Sequence, residues 1–212
     1  MTAANPTDLS RLAWAKGDGL LPAIVQHWRS GEVLMLGYMN AEALAETVRS
    51  GRVTFYSRSK RRLWTKGESS GHVLALKSIR ADCDADALLV QAEPHGSTCH
   101  TGSFSCFGER AEVRSPLGFL AELDALVESR HAERPLGSYT TKLFGEGLRR
   151  MAQKVGEEGV ETALAAVVQD DGELLGEAAD LVFHLVVLLR ARDLGLADMA
   201  GLLAARHAER KG

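Results

Sequence analysis

Asp82-Cys83-Asp84-Ala85-Asp86 places three carboxylates around one thiol, and the other two cysteines follow in Cys99-His100-Thr-Gly-Ser-Phe-Ser-Cys106. If Ile79 to Val90 is a single strand, side chains alternate faces, so the aspartates share one face and Cys83 takes the other. Hard oxygen ligands suit magnesium and soft thiolates suit zinc. The pattern points to two metals at one site, and hence to an enzyme. With three cysteines in the chain, a closed four-cysteine zinc site within one chain is excluded. An open coordination position is the mark of a catalytic zinc. His72 and His100 are the candidate proton carriers, because imidazole titrates near neutral pH. The basic segment with Arg58, Lys60, Arg61, Arg62 and Lys66 could fork onto phosphate or form a solvated surface. Ser59 adds a hydroxyl donor, and Trp64 could stack on a base or sit half-buried in the core.

A second group of acids lies further on. Stepping 100° per residue from Met151, Lys154, Glu157, Glu158 and Glu161 fall between about 240° and 340° on one narrow stripe. Most of the rest is apolar or small, with Leu148, Met151, Val155, Val160, Leu164 and Val167. Glu177, Asp180 and His184 form a matching stripe at i, i+3 and i+7 on the following helix. A helix apolar nearly all round is buried, and several buried carboxylates resist desolvation unless a cation joins them. Two facing helices presenting acids inward is a metal arrangement used in bundles, and it suits metal-assisted attack of water on a phosphoanhydride. The competing reading is a solvated face in which Arg149, Arg150 and Lys154 pair with the acids.

The elements that must position these residues divide the chain. Leu20–Gln26 and Val33–Tyr38 flank the turn Arg29-Ser30-Gly31 as a hairpin. Asn40 caps a helix to Ser50, and Gly51 ends it. Val53–Tyr56, Val73–Ala81 and Ala87–Ala92 read as strands, with a polar loop over 57–72. Gly108–Pro116 reads as a linker. Helical periodicity then covers 117–130, with Leu120, Leu123, Leu126 and Val127 on one stripe, then 140–168, 173–192 and 193–207. The expectation is two domains: a β-rich α+β domain over 1–110, a linker over 111–116, and an all-α bundle over 117–212.

Bulk properties agree. The 212 residues carry a net charge of −3, so no general affinity for nucleic acid is implied. Residues 1–116 are net +2 and residues 117–212 net −5, as for two units of different chemistry. The longest apolar run, Leu181–Leu189, is broken by His184 and too short to span a bilayer. The first residues lack a basic start followed by an apolar stretch. A cytoplasmic location is expected, where cysteines serve as thiols or ligands rather than disulfides.

Two resemblances then become specific. Lys154-Val-Gly-Glu-Glu-Gly-Val-Glu161 with Glu177-Ala-Ala-Asp180 resembles the phosphoribosyl-ATP pyrophosphohydrolases of histidine biosynthesis, all-α relatives of the MazG-type pyrophosphohydrolases. That resemblance implies magnesium held by Glu157, Glu158, Glu161, Glu177 and Asp180, release of pyrophosphate, and substrate contacts from Tyr139, Lys142 and Lys154. Met35-Leu-Gly-Tyr-Met-Asn40, Phe55-Tyr-Ser-Arg-Ser59, Leu63-Trp-Thr-Lys-Gly-Glu68, Ser70-Gly-His72, Asp82–Asp86 and Cys99-His100…Cys106 together resemble phosphoribosyl-AMP cyclohydrolase. This implies zinc-activated water opening an adenine ring, with Cys83 of one subunit joining Cys99 and Cys106 of another in a homodimer. It also implies magnesium on Asp82, Asp84 and Asp86; by their own chemistry His100 and His72 are expected in proton transfer, and Arg58, Ser59, Trp64 and Lys66 on the substrate. The joined order resembles the fused bifunctional enzyme, whose substrates are phosphoribosyl-ATP and phosphoribosyl-AMP. A pyrophosphohydrolase of ordinary nucleotides fused to a zinc nucleobase hydrolase, or a structural zinc dimer with a helical module, are the alternatives.

Overall fold

The computed structural model describes residues 12–113 and 115–210. The chain divides into two compact units, residues 1–118 and 119–212. The first holds the described strands, and the second is built of helices.

In the first unit, β1 (Leu21–His27) and β2 (Val33–Met39) form the expected antiparallel hairpin. β1 also pairs in parallel with β6 (Leu88–Pro94), which pairs antiparallel with β5 (Leu74–Ala81), giving the order β2-β1-β6-β5. A second sheet joins β3 (Thr54–Ser57) to β4 (Arg62–Thr65). β4 lies inside the segment expected as loop, where the positive φ of Arg61 turns the chain back on β3. Helix α1 (Ala41–Ser50) begins at Asn40, whose side chain accepts the Ala43 N–H at 2.8 Å, and ends at Gly51 with φ 68°. The alternating inward residues of β1 and β6, Leu21, Ala23, Val25, Leu88, Val90 and Ala92, are buried in one core with Phe55 and Met39.

The stretch from Ile79 to Val90 is not one strand. β5 stops at Ala81, and residues 82–87 form a tight connection to β6. The Asp82 carboxylate accepts the N–H groups of Asp86 at 3.0 Å and Ala87 at 3.1 Å, and Ala85 takes φ 60°. Asp side chains bond their own downstream backbone readily, and this competes with a strand ladder.

Short helix α2 (Arg110–Val113) occupies part of the segment expected as linker. In the second unit follow α3 (Gly118–Glu133), α4 (Tyr139–Glu146), α5 (Leu148–Val168), α6 (Asp171–Arg190) and α7 (Leu196–Glu209). The single helix expected over 140–168 is two helices, broken at Gly147, whose φ of 86° and ψ of 169° are non-helical. α5 and α6 form the principal pair. Val127, Leu143, Phe144, Met151, Val186 and Val187 make the core. On α3, Val127 is buried and Leu123 packs against that core, whereas Leu120 and Leu126 of the expected stripe are exposed. Arg190 reaches back from α6 to Asp124 (3.3 Å) and Glu128 (3.1 Å) on α3. α5 is not enclosed: Val160, Leu164 and Val167 are 60%, 55% and 81% exposed. No helix among the described residues is long and apolar enough to cross a membrane.

Candidate active sites

In the sheet unit, Cys99 and Cys106 line a cavity of about 570 Å³ together with Trp64, Lys66, Ser70, His72, Thr98 and His100. Thr101 donates to the Cys99 sulfur at 3.1 Å, and that bond, with the Cys106 thiol adjoining, holds Cys99 below the usual thiol range. Burial pushes Cys106 up. His100 Nδ1 stands 3.8 Å from the Cys99 sulfur. His72 Nδ1 is 2.8 Å from Ser97 Oγ. Lys66, in the basic segment expected to meet phosphate or form a solvated surface, is 7% exposed and donates to the His72 carbonyl at 3.0 Å. Burial lowers its pKa, against the attraction of Cys106 and Cys99. Lys66 beside the two thiols favours thiolate, and at Cys106 burial works against it.

Gly96 shapes this wall. Its φ is 107°, and a Cβ there would stand 2.7 Å from the His72 ring. Arg58 and Ser59 line a neighbouring cavity of about 380 Å³, which shares Met35 and Trp64 with the first. Arg58 lies over the Tyr38 ring at 3.9 Å, and Trp64 stacks on Phe55 with centroids 5.7 Å apart.

Asp82, Asp84 and Asp86 bring carboxylate oxygens within 4.8 Å of one another. The strand argument expected one shared face; the connection achieves convergence by curling instead. Lys16 caps the group, at 2.5 Å from Asp84 and 3.1 Å from Asp86, and holds Asp84 below its ordinary range. Lys16 escaped sequence reasoning, since nothing local links it to residues 68 and 70 positions away. Cys83 is exposed on the same connection and does not line the cavity of Cys99 and Cys106. Among the described residues, the three cysteines do not form one ligand group.

In the helical unit, Glu158 and Glu161 of α5 and Glu177 of α6 converge within 4.8 Å. Partial desolvation and the like charges of Glu158 and Glu177 raise the Glu161 pKa. Lys154 sits at 2.6 Å from Glu158 and 3.0 Å from Glu157 and depresses both carboxyls. Glu157 turns to Arg150 (3.3 Å), Gln153 (2.7 Å) and Lys154, outside the close group. Asp180 is exposed and also outside that group. Tyr139 stacks on Phe183 at 6.2 Å and meets His184 edge-on at 6.1 Å, and Lys142 pairs with Glu146 at 3.7 Å.

Comparison with known proteins follows the same division. Residues 35–108 match the phosphoribosyl-AMP cyclohydrolase family, and residues 120–207 match the phosphoribosyl-ATP pyrophosphohydrolase family. The chain is 67% identical over 204 residues to the histidine biosynthesis bifunctional protein HisIE of Xanthomonas axonopodis pv. citri, covering 96% of this chain and 97% of that one. It is 58% identical over 196 residues to the protein of the same name from Salmonella typhimurium, covering 92% and 95%. The Escherichia coli O6:H1 protein of that name is 57% identical over the same shares. With both family matches in N-to-C order and near-complete coverage by such relatives, the chain belongs to the bifunctional HisIE family of histidine biosynthesis, a cyclohydrolase domain followed by a pyrophosphohydrolase domain.

Proposed function

We propose that the helical unit hydrolyses phosphoribosyl-ATP to phosphoribosyl-AMP and pyrophosphate, and that the sheet unit then opens the adenine ring to give the formimino-carboxamide ribotide. The observation that carries this reading is the pair of separate donor clusters, one in each unit, each inside the matching family segment. The two domains extend over 1–110 and 117–212, joined by 111–116.

Three converging carboxylates are the hard donor set magnesium prefers. Glu158, Glu161 and Glu177 would hold it, flanked by Glu157 and Asp180, and bound magnesium would neutralise the phosphates under attack. Lys154, beside Glu158, with Lys142 and Tyr139 of α4, would contact the substrate. Asp82, Asp84 and Asp86 would hold magnesium in the sheet unit by the same chemistry, with Lys16 yielding its place.

Cys99 and Cys106 offer two of the soft donors zinc needs, and Cys83 of a second subunit would be the third. Bound zinc would supply a water acidic enough to attack at neutral pH. His100, beside Cys99, and His72, across the same cavity, are placed to hold and pass the protons of ring opening. Lys66 and Arg58 supply positive charge for phosphate, Ser59 a hydroxyl, and Trp64 a face for the base. Exposed apolar side chains support a homodimer: Ile24 and Leu36 are directly opposed across β1 and β2 and open to solvent, as are Val160, Leu164 and Val167 on α5. A small-molecule enzyme of the cytoplasm, without nucleic-acid or membrane partners, completes the reading.

Single substitutions should separate the two steps. With phosphoribosyl-ATP as substrate, Cys106→Ala should release pyrophosphate at the wild-type rate and accumulate phosphoribosyl-AMP. Glu158→Gln should release no pyrophosphate yet still open the ring of supplied phosphoribosyl-AMP. Loss of both steps in either soluble, folded variant would contradict two independent sites.

A further inference from the structure

α6 is apolar around its middle, with Leu181, Val182, Phe183, Val186 and Val187, and Val186 and Val187 are fully buried. His184 interrupts this surface and is itself 5% exposed. Its Nε2 faces Glu158 Oε1 at 3.7 Å, the same oxygen that Lys154 holds at 2.6 Å. Its Nδ1 is buried with no hydrogen-bond partner. The ring is wedged between the edges of Tyr139 and Phe183.

A buried imidazole whose Nδ1 has no partner and whose Nε2 meets a carboxylate only at 3.7 Å is a poor choice for packing alone, because a leucine would fill the space without leaving a polar atom unpaired. The carboxylate that faces Nε2 is the most buried of the acid cluster. Lys154 approaches that carboxylate along α5, its own helix. An interaction from the facing helix is needed to fix the carboxylate plane toward Glu161 and Glu177. Imidazole can do this without adding a second fixed cation beside a divalent ion. Partners behind a ligand orient it and tune metal affinity.

We propose that His184 is a positioning residue of the pyrophosphohydrolase site, acting through Nε2 on Glu158 to set its orientation for the metal. This rests on the reading of Glu158, Glu161 and Glu177 as that metal's ligands.

The test is Mn²⁺ binding by titration calorimetry on the full chain, following the component that Glu161→Gln removes. Glutamine can place an amide nitrogen near the Nε2 position; asparagine cannot reach it. His184→Leu and His184→Asn should weaken that component about tenfold, while His184→Gln retains most of it. The thermal midpoint without metal should not fall in His184→Leu, and phosphoribosyl-ATP turnover should drop with Mn²⁺ affinity across the three variants. Wild-type Mn²⁺ affinity in His184→Leu, or equal losses in Gln and Asn accompanied by a lower midpoint, would overturn the proposal. If Glu161→Gln removes no component, the metal reading itself fails and takes the proposal with it.

Discussion

His27 is a half-buried titratable side chain in the sheet unit that stands apart from the thiol cavity. Its ring lies 2.7 Å from Ser30 Oγ, and Ser30 in turn donates to the buried Glu32. Burial, then the charge of Arg110, lowers its pKa. The unfolded chain therefore binds a proton near pH 6.5 that the folded chain refuses. The sign follows: where the unfolded state holds more protons, stability falls as pH falls. Denaturant unfolding of the wild type should lose stability from about pH 6.5 downward, and His27→Gln should lose less over the same interval. Equal slopes would show that His27 is protonated in the fold. At this scale the sequence carried the donor types but not their charge environment. Cys99, Cys106, His72 and His100 line one cavity, and in the sequence only the family resemblance joined them, since His72 lies 27 residues before Cys99. Thr101 on Cys99 and Lys16 on Asp84 were not legible, because a contact across a fold leaves no periodic trace.

Helix α1 was readable to the residue, since its signals are local: an Asn cap, an apolar i, i+4 pair and a terminal Gly. The Asp82–Asp86 segment was not, because alternation along a hypothetical strand and a turn closed by Asp82 place the same acids together by different means. The turn is set by side-chain bonding to Asp86 and Ala87. Likewise, the periodicity of α4 and α5 is similar enough to read as one helix, and a single glycine at 147 separates them. Turn chemistry also governs the histidine wall. Gly96→Ala would place a methyl 2.7 Å from the His72 ring at a φ of 107°. The ring must move by about an ångström, which can cost about 100-fold in rate when a proton carrier is displaced. Ring opening should fall on that order with pyrophosphate release unchanged. An unaffected rate would remove His72 from the chemistry.

Across the whole molecule, both units expose apolar side chains that a single chain does not cover. The division into a strand-rich and a helical unit was legible from composition and periodicity, because each unit buries its own core. The exposure of α5 was not: a helical stretch apolar on most sides reads as buried, whether its cover comes from the same chain or another. The cysteines pose the same question at the site. Cys83 lies on the β5–β6 connection, outside the cavity of Cys99 and Cys106. A thiol set completed by a second subunit predicts complementation between two dead proteins. A mixed dimer of Cys83→Ala and Cys106→Ala chains has one intact set, Cys83 from one subunit with Cys99 and Cys106 from the other. Random exchange makes half the dimers mixed, each with one of two sites, so ring opening should recover to about a quarter of wild type per chain. The measurement is phosphoribosyl-AMP ring opening by the two inactive proteins, separately and after verified subunit exchange. Recovery near that fraction is the expected result; no recovery in confirmed mixed dimers would contradict a site shared between subunits.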